Sequence, residues 1–145
     1  MSSVREILDR KGSQVFTIGK SATVWEAAGL MNEHQVGALV VLEQGRVAGM
    51  FTERDVLRRV VGERRDPERT RVEEVMTTEV VCCTPETTIE EARVAMKERR
   101  VRHLPLVDGD RRLHGLISIG DLNAHEAFGH EQTIYQLQEY LYGRA

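Results

Sequence analysis

The chain of 145 residues has only two cysteines, and they are neighbours, Cys82 and Cys83. Adjacent residues of an extended segment point to opposite faces, so this pair does not make an ordinary disulfide. Without a second Cys or His pair at zinc spacing the metal signal is weak, and both thiols are expected to act as small buried apolar groups. Long apolar runs are also missing: none approaches the roughly 18 residues that a membrane span needs. The start, Met-Ser-Ser-Val-Arg-Glu-Ile-Leu, lacks the charged, apolar and small-residue regions of a secretory leader, so a cytosolic protein is expected. Nor is there an excess of one charge. Twenty Lys and Arg against 23 Asp and Glu leave a formal charge of −3, which gives no global attraction to nucleic acid or anionic membrane. Arginine is gathered locally instead, at 54, 58, 59, 64 and 65 and again at 99, 100, 102, 111 and 112, where the default meaning is a solvated helix face.

Catalytic signatures are absent as well. Gly19-Lys20-Ser21 lies between a strand-like and a helix-like stretch, but a phosphate loop needs a glycine five residues before its second glycine, and position 14 is Gln. There is no G-x-G-x-x-G, no G-x-S-x-G elbow and no H-E-x-x-H helix. The histidines at 34, 103, 114, 125 and 130 have no ligand spacing with acidic partners. Binding without turnover is therefore expected, and an NAD-using or nucleotide-hydrolysing enzyme is the reading with least support.

What the chain does contain is a repeat. Gly49-Met-Phe-Thr-Glu-Arg-Asp55 returns as Gly115-Leu-Ile-Ser-Ile-Gly-Asp121, each defining residue displaced by 66 positions. Apolar residues, then Thr or Ser, then Asp three places later read as a buried strand entering a helix with the hydroxyl as N-cap. Such a turn can be a capping box and nothing more, or an anion site at a helix N-terminus; two copies in matching contexts favour a pair of related sites. The surrounding elements repeat too. Val4, Ile7 and Leu8 match Val72, Val75 and Met76 as a short amphipathic prelude, and Val15-Phe-Thr-Ile18 matches Val80-Val-Cys-Cys83 as a short strand. Thr23-Val-Trp-Glu26 and Thr88-Ile-Glu-Glu91 open helices, and Met31 and Met96 are read as core residues. Ala38–Leu42 and His103–Val107 each begin a β-hairpin, with Pro105 placing its strand at an edge. A charged stretch with Pro67, expected to be exposed, links the copies. Domains are expected at 1–65 and 72–128 around a linker at 66–71, followed by an extra amphipathic helix at 129–145 that caps the core or contacts a second copy.

Two copies of prelude, strand, helix, hairpin and helix, each ending in G-h-h-T/S-x-x-D, together with Arg102-His-Leu-Pro-Leu-Val-Asp108, resemble a tandem cystathionine-beta-synthase (CBS) domain pair, or Bateman module, of the small stand-alone bacterial type. The resemblance implies an α/β (α+β) fold. Each repeat would be a small mixed sheet with helices on one face, and the two would pack about a pseudo-twofold axis. It also implies two clefts for adenosine ligands: AMP, ADP, ATP or NAD, with S-adenosylmethionine ranked below them. One cleft would join Thr52, Arg54 and Asp55 to Val80, Val81, Arg102 and His103. The other would join Ser118 and Asp121 to Val15, Phe16, Gly37 and Ala38. The aspartates would accept ribose hydroxyls, the hydroxyl residues and helix N-termini would hold phosphate, and adenine would lie between apolar strand residues. Tighter phosphate binding is expected at Asp55, because Gly37, Ala38 and Gly120 stand where the first site has Arg102, His103 and Arg54. His103 occupies a position where some members carry a basic residue, which makes its contribution pH-sensitive. A homodimer, an effector protein of unknown identity, and no nucleic-acid or membrane partner complete the expectation. The alternative is an interaction module with vestigial clefts.

Overall fold

A computed structural model describes residues 2–127; the expected helix at 129–145 lies outside them. The first half contains α1 (Val4–Lys11), β1 (Thr17–Gly19), α2 (Val24–His34), β2 (Ala38–Glu43), β3 (Arg46–Thr52) and α3 (Glu53–Asp55), which runs on as a wider π-helical stretch, Val56–Val61. The second contains α4 (Val72–Val75), α5 (Ile89–Arg99), β4 (His103–Val107), β5 (Leu113–Ser118) and α6 (119–127). The starts of α2 and α5 follow from their sequences. Thr23 and Thr88 accept the N–H groups of Glu26 and Glu91, and both helices end on a left-handed residue, Gln35 and Arg100. The β2–β3 hairpin turns through Gln44 and Gly45, both at positive φ, as a two-residue turn requires.

The two sheets are not equally complete. In the first, β1 pairs parallel with β2 and β2 antiparallel with β3; in the second, β4 pairs antiparallel with β5 alone. The strand expected at Val80–Cys83 shrinks to a single bridge between Cys83 and Leu106. Proline is the cause. Val40 donates its N–H to the Phe16 carbonyl at 3.2 Å in the first copy, whereas the matching residue of the second, Pro105, has no N–H to give Val81. One ladder bond is lost, and β4 is left nearly an edge strand, as the proline predicted.

The preludes change places. Val4 and Ile7 of α1 are buried with Cys83, Ala92, Met96, Leu104, Leu106, Ile117 and Leu122 in the core of the second repeat. Val72 and Val75 of α4 are buried with Val24, Ala27, Met31, Leu39, Val41, Phe51 and Val60 in the core of the first. The exchange is anchored by equivalent backbone bonds, Val4 N–H to Thr87 O and Val72 N–H to Ala22 O, both 2.8 Å. It also explains the motif glycines. A Cβ on Gly49 would lie 2.7 Å from Met76 Sδ and 2.8 Å from Thr77 O, and one on Gly115 would lie 2.8 Å from Leu8 Cδ1. Each glycine lets the other repeat's prelude lie against its strand.

Between the sheets a third apolar layer joins Ala38, Val40, Val47 and Met50 to Val107, with Val15, Val80, Cys82, Leu113 and Leu116 at its margin. The linker is exposed over most of its length, with one exception. Thr70 is buried because its carbonyl and that of Pro67 accept the Val24 and Trp25 N–H groups, satisfying orphan donors at the start of α2. Cys82 and Cys83 are both free thiols, and burial pushes the Cys83 thiol up to about 12.

Candidate functional site

β3 delivers Thr52 to the head of α3, and the Thr52–Asp55 pair forms a full capping box. Thr52 N–H donates to Asp55 Oδ2 at 2.9 Å, and Asp55 N–H donates to Thr52 Oγ1 at 3.4 Å. The local geometry thus serves helix capping, but the aspartate does more than cap. Its other oxygen, Oδ1, is 3.3 Å from the Thr77 hydroxyl, just past α4, and 3.8 Å from Arg59 Nε. Arg59 also donates to the carbonyls of Val75 and Met76 at 3.2 and 2.9 Å. One turn of the motif helix therefore ties a buried carboxylate to the exchanged prelude.

This turn forms one wall of a cleft of about 340 Å³. Gly37, Met50, Thr52, Glu53, Arg54 and Asp55 come from the first half; Thr77, Glu79, Val80, Val81, Arg100, Val101, Arg102 and His103 come from the second. Charges of both signs face it. Arg54, whose guanidinium reaches the Arg100 carbonyl at 3.5 Å, stands with Arg100 and Arg102 against Glu53, Asp55 and Glu79. His103 is held below its ordinary value of 6.5 by burial, with Lys11 and Arg102 pushing the same way and Asp121 and Glu53 opposing. It is therefore mostly neutral at pH 7 and offers a hydrogen bond in place of a charge. Val80 and Val81 give an apolar wall suited to a planar ring, and the arginines suit an anionic group.

The second motif has a different neighbour. Ser118 and Asp121 repeat the reciprocal bonds, at 2.8 Å for Ser118 N–H to Asp121 Oδ2 and 3.0 Å for Asp121 N–H to Ser118 Oγ. Here Lys11, the last residue of α1, places its ammonium 2.7 Å from Asp121 Oδ2 and 2.8 Å from the Leu116 carbonyl. Burial raises the Asp121 carboxyl, but the Lys11 ammonium and the Ser118 N–H and hydroxyl outweigh it, and the net shift is downward.

Of the residues singled out by sequence, Thr52, Arg54, Asp55, Val80, Val81, Arg102 and His103 line this cleft. Gly37 lines it too, although sequence grouped it with Asp121; its carbonyl accepts the Glu53 N–H at 3.0 Å, which holds it beside its own motif helix. Ala38 is buried opposite Thr52 in the β2–β3 ladder. Phe16 stacks on His34 at 4.0 Å and packs on the first core, and Val15 joins the layer between the sheets. Glu53, Thr77, Glu79, Arg100 and Lys11 were missed. Thr77, Glu79 and Lys11 lie on or just past the preludes, and no sequence signal said that these exchange. Among the described residues no cluster of three or more His, Cys, Asp or Glu gathers as metal ligands, and no helix is long and apolar enough to cross a membrane.

A family profile for the CBS domain matches residues 4–62 and 72–126. The CBS domain-containing protein YhcV of Bacillus subtilis is 40% identical over 126 residues, covering 87% of this chain and 86% of its own length. Among solved structures, the CBS-domain containing protein ATU1752 from Agrobacterium tumefaciens superposes with a TM-score of 0.80 at 38% identity, over 86% of this chain and 99% of that one. The CBS domain pair of protein MJ0100, solved with 5′-methylthioadenosine and S-adenosyl-L-methionine, shares the fold at a TM-score of 0.77 and 21% identity, over 90% and 98% of the two chains.

Proposed function

The chain belongs to the CBS-domain family as a tandem pair, and from that premise we propose that it is a non-catalytic regulatory module that binds an adenosine nucleotide at Asp55. The observation that carries this reading is the cleft itself. It joins a buried carboxylate and three arginines to a valine wall in one space of about 340 Å³, the size and chemistry that a sugar, a phosphate and a planar base require. Asp55 accepts the ribose hydroxyls, Arg54, Arg100 and Arg102 meet the phosphate, and adenine lies against Val80 and Val81. AMP, ADP, ATP and NAD are the favoured ligands, ahead of S-adenosylmethionine.

Occupancy has a route out of the cleft. A ribose hydroxyl donating to Asp55 Oδ1 competes with Thr77 of the exchanged segment, whose backbone pairs with Met50 of β3. A ligand shifts the protein only by its different affinity for two such arrangements. Output is proposed to pass through a homodimer. Trp25, Leu57, Val61 and Val94 are large apolar side chains on helices that remain more than half exposed, and a second copy covers them. The free thiols fit a reducing, cytosolic setting.

Calorimetric titration of nucleotide-free protein with AMP, ADP, ATP, NAD and S-adenosylmethionine tests the reading. Micromolar binding that Asp55→Ala weakens by about tenfold or more is expected, the scale of a hydrogen bond to a charged group. Absence of binding by every ligand at millimolar concentration overturns it. In that case the same exposed apolar residues favour an interaction module with vestigial clefts, read by whether a partner or a second copy is lost when Leu57 and Val61 become polar.

A further inference from the structure

We infer that Lys11 decides which of the two motif aspartates takes the nucleotide: bound to Asp121, it holds the second motif engaged from within, so each chain binds one adenosine ligand, at Asp55. The inference rests on the binding proposal above and adds a residue that the repeat does not encode. The two motifs are equivalent in their own atoms, since each aspartate and its hydroxyl partner exchange the same reciprocal bonds. They differ in what the exchanged prelude brings. α4 is followed by Thr77 and Glu79, so Asp55 Oδ1 faces a neutral hydroxyl at 3.3 Å. A ribose hydroxyl replaces that contact like for like. Arg59 lies farther off, at 3.8 Å, and its guanidinium is also engaged with the carbonyls of Val75 and Met76.

α1 instead ends in Lys11, whose ammonium contacts Asp121 Oδ2 at 2.7 Å and the Leu116 carbonyl at 2.8 Å. The Lys11 and Asp121 side chains are 33% and 23% exposed, so water screens the pair less than one that is fully on the surface. The helix that carries Lys11 is anchored by Val4 and Ile7 in the second core, which fixes the ammonium before any ligand arrives. A ribose hydroxyl at Asp121 must therefore compete for a carboxylate whose Oδ2 already takes both the Ser118 N–H and the Lys11 ammonium, and a charge-assisted bond is about twice as strong as a neutral pair.

The test counts sites. Wild type, Lys11→Met, Lys11→Gln, Asp55→Ala and the Lys11→Met/Asp55→Ala double variant are titrated calorimetrically with AMP, while the Asp121 carboxyl is followed by NMR across acid pH. One site in wild type, lost in Asp55→Ala, is expected. Removing the ammonium is expected to tighten binding at the Asp121 motif by about tenfold or more, so that the double variant binds again and adding Asp121→Ala abolishes that binding. The Asp121 titration should move up in both Lys11 variants. Two equal sites in wild type, or a double variant that stays silent while wild type binds, overturns the inference and leaves the binding proposal standing. An Asp121 titration that ignores both Lys11 substitutions also overturns it. If wild type binds nothing and both Lys11 variants stay silent, both proposals fall, whereas binding gained only without the ammonium supports the role of Lys11 and moves the nucleotide away from Asp55.

Discussion

Replacing Gly49 with alanine should cost far more than the same change at Gly115, although the two glycines occupy the same place in the repeat. Neither has a positive φ, so backbone strain is not the reason; contact is. At Gly49 the new methyl would stand 2.7 Å from Met76 Sδ and 2.8 Å from the Thr77 carbonyl oxygen. A methionine end can swing aside. The carbonyl cannot, because Met50 and Thr77 exchange two backbone bonds of 2.9 Å that hold the exchanged segment against β3. Relief requires overpacking strain of about 1–3 kcal/mol together with weakening of those bonds, at about 1 kcal/mol each. Gly49→Ala should therefore destabilise by about 3 kcal/mol, near 10 °C in Tm for a chain of this size. At Gly115 the nearest atom is Leu8 Cδ1, the mobile tip of a half-buried side chain, and the next lies at 4.0 Å. Moving it costs little, and alanine recovers about 0.4–1 kcal/mol by restricting the unfolded chain, so Gly115→Ala should stay within about 1 kcal/mol of wild type. Urea midpoints and thermal scans of both variants decide the matter. Equal losses, or a neutral Gly49→Ala, would refute the claim that backbone contact with the exchanged prelude sets the cost.

Exchange of the preludes gives a second test. Ile7→Ala, a substitution in the first turns of the chain, should cost about 2–4 kcal/mol and speed amide exchange at Leu104 and Leu106 before Leu39 and Val41, because its side chain sits in the second core. For His103, burial lowers the folded value below the unfolded 6.5. Its contribution is thus complete above pH 6.5 and is lost as pH falls through the folded value; His103→Asn should flatten the urea midpoint across that acid window. For the same reason AMP affinity should not change between pH 7 and 8 through this residue, which titration calorimetry at the two values checks. Asp121 runs the same way at lower pH. Its depressed carboxyl contributes above 3.8 and loses that contribution on acidification, and Lys11→Met should reduce the loss.

Much of the architecture was legible in the residues. Thr23 and Thr88 announced α2 and α5, the Gln44-Gly45 turn announced a hairpin, and Pro105 announced a strand with one weak side. The charged residues at the two motifs were only partly legible. Arg54, Asp55 and Arg102 belong to or flank the repeated motif, whereas Glu79 reaches the cleft and Lys11 reaches Asp121 through preludes whose destination has no local signature. Gly37 has no signature that separates pairing across the repeats from pairing within one, and the Glu53 N–H holds its carbonyl within its own repeat.

By itself, then, the sequence determined the number of copies, the order of elements within each, and the twin turns that present Asp55 and Asp121. Tertiary structure decided which prelude completes which core, and hence that one aspartate meets Thr77 while the other meets Lys11. The reason is that apolar spacing records that a face must be buried and not what buries it. Val4 and Ile7 carry the same pattern as Val72 and Val75. Either core satisfies that pattern, and only packing between the folded halves separates the two choices.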